Sequence, residues 1–379
     1  MDQAVTVQPR QARWADALKS ADGFAREQGE IGKVWQLVGL TSDVAGDGDW
    51  IRATVGGRSI FVQRFKEELR AFENVCMHRG YPLRTDDRGN GAIRCGFHHW
   101  QYNHEGRAVS IPKCKELFGV SPRELDVRLT SVELATCGIL IFARFPSDPA
   151  GPSLREYLGP GFDIVAYLWD AARAPRIRET EFRANWKLGH HISLDDYHIV
   201  AVHPKTFGKN GYLPSEVVKY FRFGRHSAYF YGADERALSE TAAACRAGTF
   251  TPDGYRIYQF FPNLVVAHSN AARTRYTIIQ QYVPVAHDRT TLRTIIQEWR
   301  PADPGYRRAR AIAEKLARPA INRVAAYSAY RIARQDNAVC ENMQSIAAQQ
   351  NYPQILGKQE QRIRWFEENY ADVVGDALD

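Results

Sequence analysis

Two short loops, Cys76-Met77-His78 and Cys95-Gly96-Phe97-His98, constrain this chain more than any other feature. Each offers one thiolate and one imidazole, and sixteen residues separate them. Four donors on two short segments are useful together only if the fold holds two loop tips side by side, which short antiparallel strands do readily. The set suits a [2Fe–2S] cluster with two cysteines on one iron and two histidines on the other. Charge counting gives the reason. Two thiolates and two neutral imidazoles leave the oxidised cluster roughly uncharged, where four thiolates make it about a dianion, so an added electron is held more readily. Two Cys and two His also suit structural zinc. Zinc modules, however, commonly pair C-x2–4-C with H-x3–5-H, whereas here Cys and His alternate within each loop.

The residues around the donors, CMHRGYPL and CGFHHWQYNHEG, resemble Rieske cluster loops. Arg79-Gly80 after the first histidine and Trp100-x-Tyr102 after the second stand where that family has them. The resemblance implies that Cys76, His78, Cys95 and His98 hold the cluster. Two positions depart from the pattern: the family usually has Pro where Gly96 stands and Gly where His99 stands.

At 379 residues the chain has room for two ordinary domains with substantial cores. Its 44% hydrophobic and 25% charged residues are globular averages and do not favour disorder. The segment MDQAVTVQPRQARW lacks an apolar signal-peptide core, and no run approaches the roughly eighteen apolar residues of a membrane span. Cys114, Cys137, Cys245 and Cys340 follow no secreted-scaffold spacing, so reduced thiols and a cytoplasmic location are expected. The net charge of +7 is dispersed, without a basic run, which argues against a nucleic-acid groove. A moderately basic redox protein instead suits an acidic electron donor, since opposite charge speeds encounter.

Between Val34 and Pro146, short apolar segments broken by Gly and Asp (VWQLVGL, WIRATVGG, SIFVQRF, AFENVC, GILIFARF) predict a small antiparallel barrel or sandwich. Gly- and Pro-rich GPSLREYLGPGFD marks a boundary near 150. Further strands follow: IRETEFRANWKL, VVKYFRF, SAYFYG, YRIYQFFPNLVVAHS, RYTIIQQYVPV and TTLRTIIQEW. Helical spacing then runs from about Gly305 to Ile346 and from Gln359 to Val374. The expected class is α+β, with a helical segment over 1–33, a small β domain over 34–150, and over 151–379 a curved antiparallel sheet gripping C-terminal helices.

A second constellation lies in the stretch from Asn185-Trp186-Lys187 to His203-Pro204. His198 and His203 stand five apart, and on a continuous helix such residues diverge, so a local break would let both reach one ion. Two histidines and a carboxylate make the facial triad of non-haem Fe(II), which leaves positions open for O2 and substrate. The best carboxylate is Asp336, in ARQDNAVCENMQ on a predicted helix. NWK, then D-x2-H-x4-H, then a late Asp with Gln344 eight residues on, resemble the catalytic α subunit of an aromatic ring-hydroxylating Rieske non-haem iron oxygenase. That resemblance implies that His198, His203 and Asp336 ligate the mononuclear iron. It also implies that Asp195, rather than adjacent Asp196, bridges to His98 of a neighbouring subunit's cluster. Relatives often have Glu-Asn where this chain has His191-Ile192. His190 and His191 therefore remain open between extra ligand, pocket and structural roles.

The same resemblance implies the oxygenase component of a multicomponent system. Electrons from NAD(P)H would arrive through a separate reductase or ferredoxin, pass the [2Fe–2S] cluster, and reach an Fe(II) that activates O2 against an aromatic small molecule. A homotrimer is expected, possibly with a small β subunit, because a closed head-to-tail ring can set one subunit's cluster beside the next one's iron. An N- or O-demethylating or amine-hydroxylating monooxygenase is the alternative, for which an aromatic cage around a cation is expected. An electron carrier using only its cluster, and a zinc-bound interaction module, are the readings from other classes.

Overall fold

The computed structural model describes residues 10–11, 16–169, 175–205, 211, 217–271, 274–299, 311–347 and 353–375. The chain divides into two compact units: Gln28–Tyr157, and Met1–Glu27 together with Leu158–Asp379. The dividing lines fall at 27/28 and 157/158, against 33/34 and 150/151 in the sequence reading. Helices cross both lines, since α2 spans Ala21–Ile31 and α5 spans Leu154–Leu158.

In the Gln28–Tyr157 unit, seven antiparallel strands run in the order β2-β11-β10-β5-β4-β3-β6. They are β2 (Gln36–Leu40), β3 (Asp49–Val55), β4 (Arg58–Phe65), β5 (Glu68–Glu73), β6 (Arg88–Asn90), β10 (Ser131–Cys137) and β11 (Leu140–Arg144). Alternation decides the two faces. Ile60, Val62 and Ala71 enter one apolar core with Val38, Ile51 and Ile141, while Phe61 and Phe72 point the other way into a core that contains Cys76, Cys95, Trp100 and Tyr102. The β3–β4 hairpin turns on Gly56-Gly57, both at positive φ (53° and 72°), as a two-residue primed turn requires. A Cβ at Gly56 would stand 2.4 Å from the Gly32 Cα, so no other residue fits there. A three-stranded sheet of β7 (Ile93–Arg94), β8 (Gln101–Tyr102) and β9 (Ala108–Ser110) carries the second donor loop, and α3 (Cys114–Phe118) and α4 (Pro122–Leu125) follow it. The sequence reading named neither these strands nor β6 and β10. Two or three residues are too few to show alternation, and β10 is half polar.

The other unit is built on a second seven-stranded antiparallel sheet, ordered β12-β18-β17-β16-β15-β14-β13. Its strands are β12 (Arg176–Phe182), β13 (Val218–Phe223), β14 (His226–Tyr231), β15 (Arg256–Phe260), β16 (Leu264–Ala271), β17 (Thr274–Ala286) and β18 (Arg289–Trp299). The expected α+β architecture is present: a curved antiparallel sheet with helices on both faces. Against one face lie α6 (Pro160–Leu168) and α9 (Ala237–Arg246), with Arg256 donating to the Thr241 hydroxyl (2.7 Å). Against the other lie α7 (Trp186–Ile192), α10 (Ala311–Ala347) and α11 (Gln361–Val374). Gly189 lets α7 press on the sheet, since a Cβ there would meet Tyr282 at 2.6 Å and Phe182 at 2.7 Å. Arg10–Gln11 (β1) pairs with Pro353–Gln354 (β19), and α1 (Asp16–Lys19) precedes α2.

Glu27 is sealed in this core. It accepts from the Trp186 indole (2.7 Å) and the Tyr370 hydroxyl (2.6 Å) and pairs with the Lys187 ammonium, both charged side chains being fully buried. A buried charge is tolerable only when paired and hydrogen-bonded, and here every partner belongs to the same unit.

His268 on β16 stands between Arg256 and Thr277 on its neighbours and is fully buried. Burial, with Arg256 adding to it, pushes its pKa down to about 3. The unfolded state therefore takes up a proton as pH falls below about 6.5 and the folded state does not. This costs about 1.4 kcal/mol per pH unit until the folded pKa is reached. His268→Leu is expected to lose about 2 kcal/mol less than wild type between pH 7 and 5 in urea unfolding. Equal losses in the two proteins would refute the assignment.

Candidate metal centres

The two donor loops of the first unit are one turn used twice. The Cys76 N–H donates to the Tyr81 carbonyl (2.8 Å) and the Gly80 N–H returns to the Cys76 carbonyl (2.9 Å). The Cys95 N–H donates to the Trp100 carbonyl (2.9 Å) and the His99 N–H returns to the Cys95 carbonyl (3.0 Å). The fourth residue after each cysteine must then be left-handed: Gly80 has φ 75° and His99 has φ 63°. Glycine takes that conformation freely, while a side chain costs roughly 1–2 kcal/mol. That is the physical content of the departure at His99.

Each loop supplies its pair of donors in place. Both cysteines are buried, and Nδ1 of His78 lies 3.2 Å from Nδ1 of His98. Trp100 stacks on the His78 ring (4.9 Å, 9°), and the edge of Phe118 meets the same ring. The Tyr102 hydroxyl sits 3.2 Å from both the Cys76 sulfur and the Met77 N–H. Burial pushes the Cys76 thiol up, and the adjoining Cys95 adds to it against the pull of Tyr102. Two buried thiols side by side and two imidazole nitrogens about a hydrogen-bond length apart make a poor core by themselves. They become a good one around positive iron, where the sulfurs ionise and the nitrogens stay neutral.

In the second unit, Asn185 caps α7 by accepting from the Lys187 N–H (3.1 Å). After α7 the chain turns through Asp195 and Asp196 into α8 (Ile199–Val202), a single short turn. His198 is its N-cap. His203 ends it with φ −118° and ψ 44°, leaving helical geometry, which brings the two rings to 5.3 Å. Asp336 on α10 reaches both: its Oδ1 is 2.9 Å from Nε2 of His203 and 3.7 Å from Nε2 of His198. One ligand atom from each of the three lies within 4.8 Å of the others, the one such group among the described residues. Donors on bonds of about 2.1 Å to one ion stand about 3 Å apart, so the set fits a single first-row metal. Burial pulls the His203 pKa down, yet Asp336 and Gln335 outweigh it and hold it above the ordinary value. The space between them favours positive charge.

The outer nitrogens are also placed. Nδ1 of His198 lies 3.4 Å from Oδ2 of Asp195, and Nδ1 of His203 lies 3.1 Å from Oε1 of Gln335. Gln335 fixes the His203 tautomer that leaves Nε2 for a metal, whereas Asp195 faces the His198 Nδ1 without a formed hydrogen bond. Asp196 turns elsewhere, to Arg362 and Tyr220. His190 and His191 stand outside the three-residue group, buried against Phe366, with the His190 pKa pushed by burial to about 3. Gln335 and Arg362 were not found from sequence; neither residue type signals such a role by its spacing.

Residues 34–129 match the Rieske [2Fe-2S] domain, and residues 169–376 match the catalytic domain of the ring hydroxylating alpha subunit. The chain belongs to the ring-hydroxylating α-subunit family of Rieske proteins, whose centres are a [2Fe–2S] cluster and a mononuclear iron. It is 29% identical over 227 residues to the biphenyl 2,3-dioxygenase α subunit of Rhodococcus jostii (strain RHA1), covering 55% of this chain and 49% of the relative. It is 31% identical over 191 residues to the terminal oxygenase component subunit alpha 2 of terephthalate 1,2-dioxygenase from a Comamonas species, covering 45% and 43%. The matched part thus spans about half the length of these relatives or less. In fold it is similar to the quaternary ammonium Rieske monooxygenase CntA, with a TM-score of 0.71 at 17% identity over 98% of this chain and 96% of that one. Among the described residues, no helix is long and apolar enough to cross a membrane.

Both centres can be counted separately. Purified protein is expected to carry iron and acid-labile sulfide in the first unit, and one further divalent ion that His203→Ala removes without changing the cluster absorption. A colourless protein, or a His203→Ala variant that keeps the second ion, would contradict the geometry.

Proposed function

We propose that this chain is the oxygenase component of a multicomponent Rieske system, hydroxylating an aromatic small molecule with O2. The observation that carries the reading is the pairing, in one chain, of a Cys2His2 loop pair with a two-histidine, one-carboxylate group. When bound, the cluster supplies electrons singly and the mononuclear iron, with open positions, supplies the site for O2. The protein's part is orientation. Gln335 holds the Nδ1 proton of His203, the Asp195 carboxylate stands 3.4 Å from Nδ1 of His198, and Asp336 faces both Nε2 atoms. Electrons are proposed to come from NAD(P)H through a separate reductase or ferredoxin in the cytoplasm. A homotrimeric ring, possibly with a small β subunit, would let Asp195 accept from His98 of the partner subunit as well.

The aromatic reading rests on what the sheet presents beside the site. Tyr282, whose hydroxyl is raised by burial and then by Asp336 and Cys340, and Tyr229, raised by burial and then by Asp196, remain neutral donors on a buried aromatic face. One tyrosine pair of the kind that cages an organic cation, Tyr220 and Tyr229, already holds a cation. The guanidinium of Arg362 lies 5.4 Å from the centre of Tyr220 and 5.5 Å from that of Tyr229. Oxidation of an amine is the second reading, supported by the likeness to a quaternary ammonium monooxygenase. Single-turnover assays with reduced protein and O2, run on neutral aromatics, aromatic carboxylates and quaternary amines, separate the two. Product only from amines would overturn the aromatic assignment.

Asp195→Asn keeps size but loses charge. With the cluster reduced and substrate and O2 added, its reoxidation is expected to slow about 10–100-fold, the usual cost of losing a group that orients a metal ligand. Were Asp195 only a turn residue, the change would cost about 1 kcal/mol of stability and little rate. Wild-type reoxidation and product yield would remove the bridging role.

A further inference from the structure

The loop between α7 and α8 carries two adjacent carboxylates that face different ways. Oδ1 of Asp195 accepts from its own loop, the N–H groups of Tyr197 (2.6 Å) and His198 (3.2 Å), and its Oδ2 lies 3.4 Å from His198. Asp196 reaches into the core. Both its oxygens accept from Nη2 of Arg362 (3.0 and 3.1 Å), and Oδ2 also accepts from the Tyr220 hydroxyl (2.9 Å). Arg362, the second residue of α11, is fully buried and lies over the rings of Tyr220 and Tyr229. One side chain thus ties the loop to both the sheet, through β13, and the C-terminal helix.

A buried ion pair is a weak stabiliser, since apolar residues of similar volume often serve the fold as well. Its value here is directional. Asp195 stands 3.4 Å from the His198 Nδ1 without a formed hydrogen bond, so the set of the loop decides whether the carboxylate and the imidazole meet. We propose that Asp196, Arg362 and Tyr220 form a positioning clamp that sets His198 and Asp195 for the metal, so that α11 governs metal occupancy from outside the ligand set. The clamp rests on the reading of His198, His203 and Asp336 as a metal centre. None of the three clamp residues touches the ion; each acts through the loop.

The test uses the full-length protein with its cluster in place, the mononuclear ion removed by mild chelation, and Co(II) titrated back. The Co(II) ligand-field spectrum reports geometry, and the cluster absorption is the internal control. Asp196→Asn alone strands a buried guanidinium and would confuse folding with positioning, so the deciding variant is Asp196→Asn/Arg362→Met, which removes both charges. It is expected to match wild type in urea midpoint while binding Co(II) 10–100-fold more weakly, with an altered spectrum. Tyr220→Phe, which deletes one hydroxyl, should shift the same spectrum in the same direction and decides the matter if the double variant does not fold. Co(II) affinity within fivefold of wild type and an unchanged spectrum in the folded variant would overturn the clamp alone. A wild type whose Co(II) binding is indifferent to His203→Ala would overturn the metal centre and the clamp together.

Discussion

The mononuclear site depends on where α10 lies along α7. Its histidines and its carboxylate come from segments more than a hundred residues apart, and a slip of one helical turn would carry Asp336 about 5 Å away. The buried amide of Gln344 prevents that slip. Its Oε1 accepts the Asn185 N–H (3.0 Å), which helix geometry leaves without an internal partner, and its Nε2 donates to the Leu18 carbonyl (3.2 Å). Glu341 does the same for the Arg183 N–H (2.9 Å). With those bonds made, Asp336 stands about two turns back along α10, level with His203. The NWK segment is thus the surface against which the carboxylate is measured.

Charge is handled differently at the two centres. Around the cluster loops the rings of Trp100 and Phe118 pack on the His78 ring and the Tyr102 hydroxyl approaches the buried Cys76 sulfur, and among the described residues of the same subunit no carboxylate pairs with these donors. That suits a centre whose own charge changes by one electron. The mononuclear site is instead backed by the Gln335 amide on Nδ1 of His203, which raises the basicity of its ligating nitrogen, and by the Asp195 carboxylate 3.4 Å from Nδ1 of His198. The first arrangement suits a redox centre, and the second suits a metal site.

Much of this was legible in the sequence where a pattern is local. The cluster donors, the histidines around a broken helix, and strands such as Arg58–Phe65 and Arg289–Trp299 show themselves through spacing or alternation. Asp336 was found only through the order of motifs, since nothing in ARQDNAV marks one Asp as facing a histidine. Contacts made across long stretches of chain left no trace. Glu27 is one polar residue in an amphipathic helix until Lys187 and Tyr370 close on it, and Arg362 is one of several arginines until Asp196 meets it. The helix Ala237–Arg246, placed between two strands, was not singled out. His99 was legible as a departure, but its cost became visible only as a positive φ.

The discontinuous makeup of the catalytic unit has a consequence for synthesis. Glu27 emerges from the ribosome 343 residues ahead of Tyr370. At about 5–20 residues per second that interval is on the order of 20–70 s. The unit of Gln28–Tyr157 is complete in sequence long before then and can fold on its own schedule, while the leading segment waits with a carboxylate whose partners do not yet exist. Helix α11 therefore closes a core begun by α2, and a nascent chain arrested before Tyr370 would present that segment to chaperones and proteases.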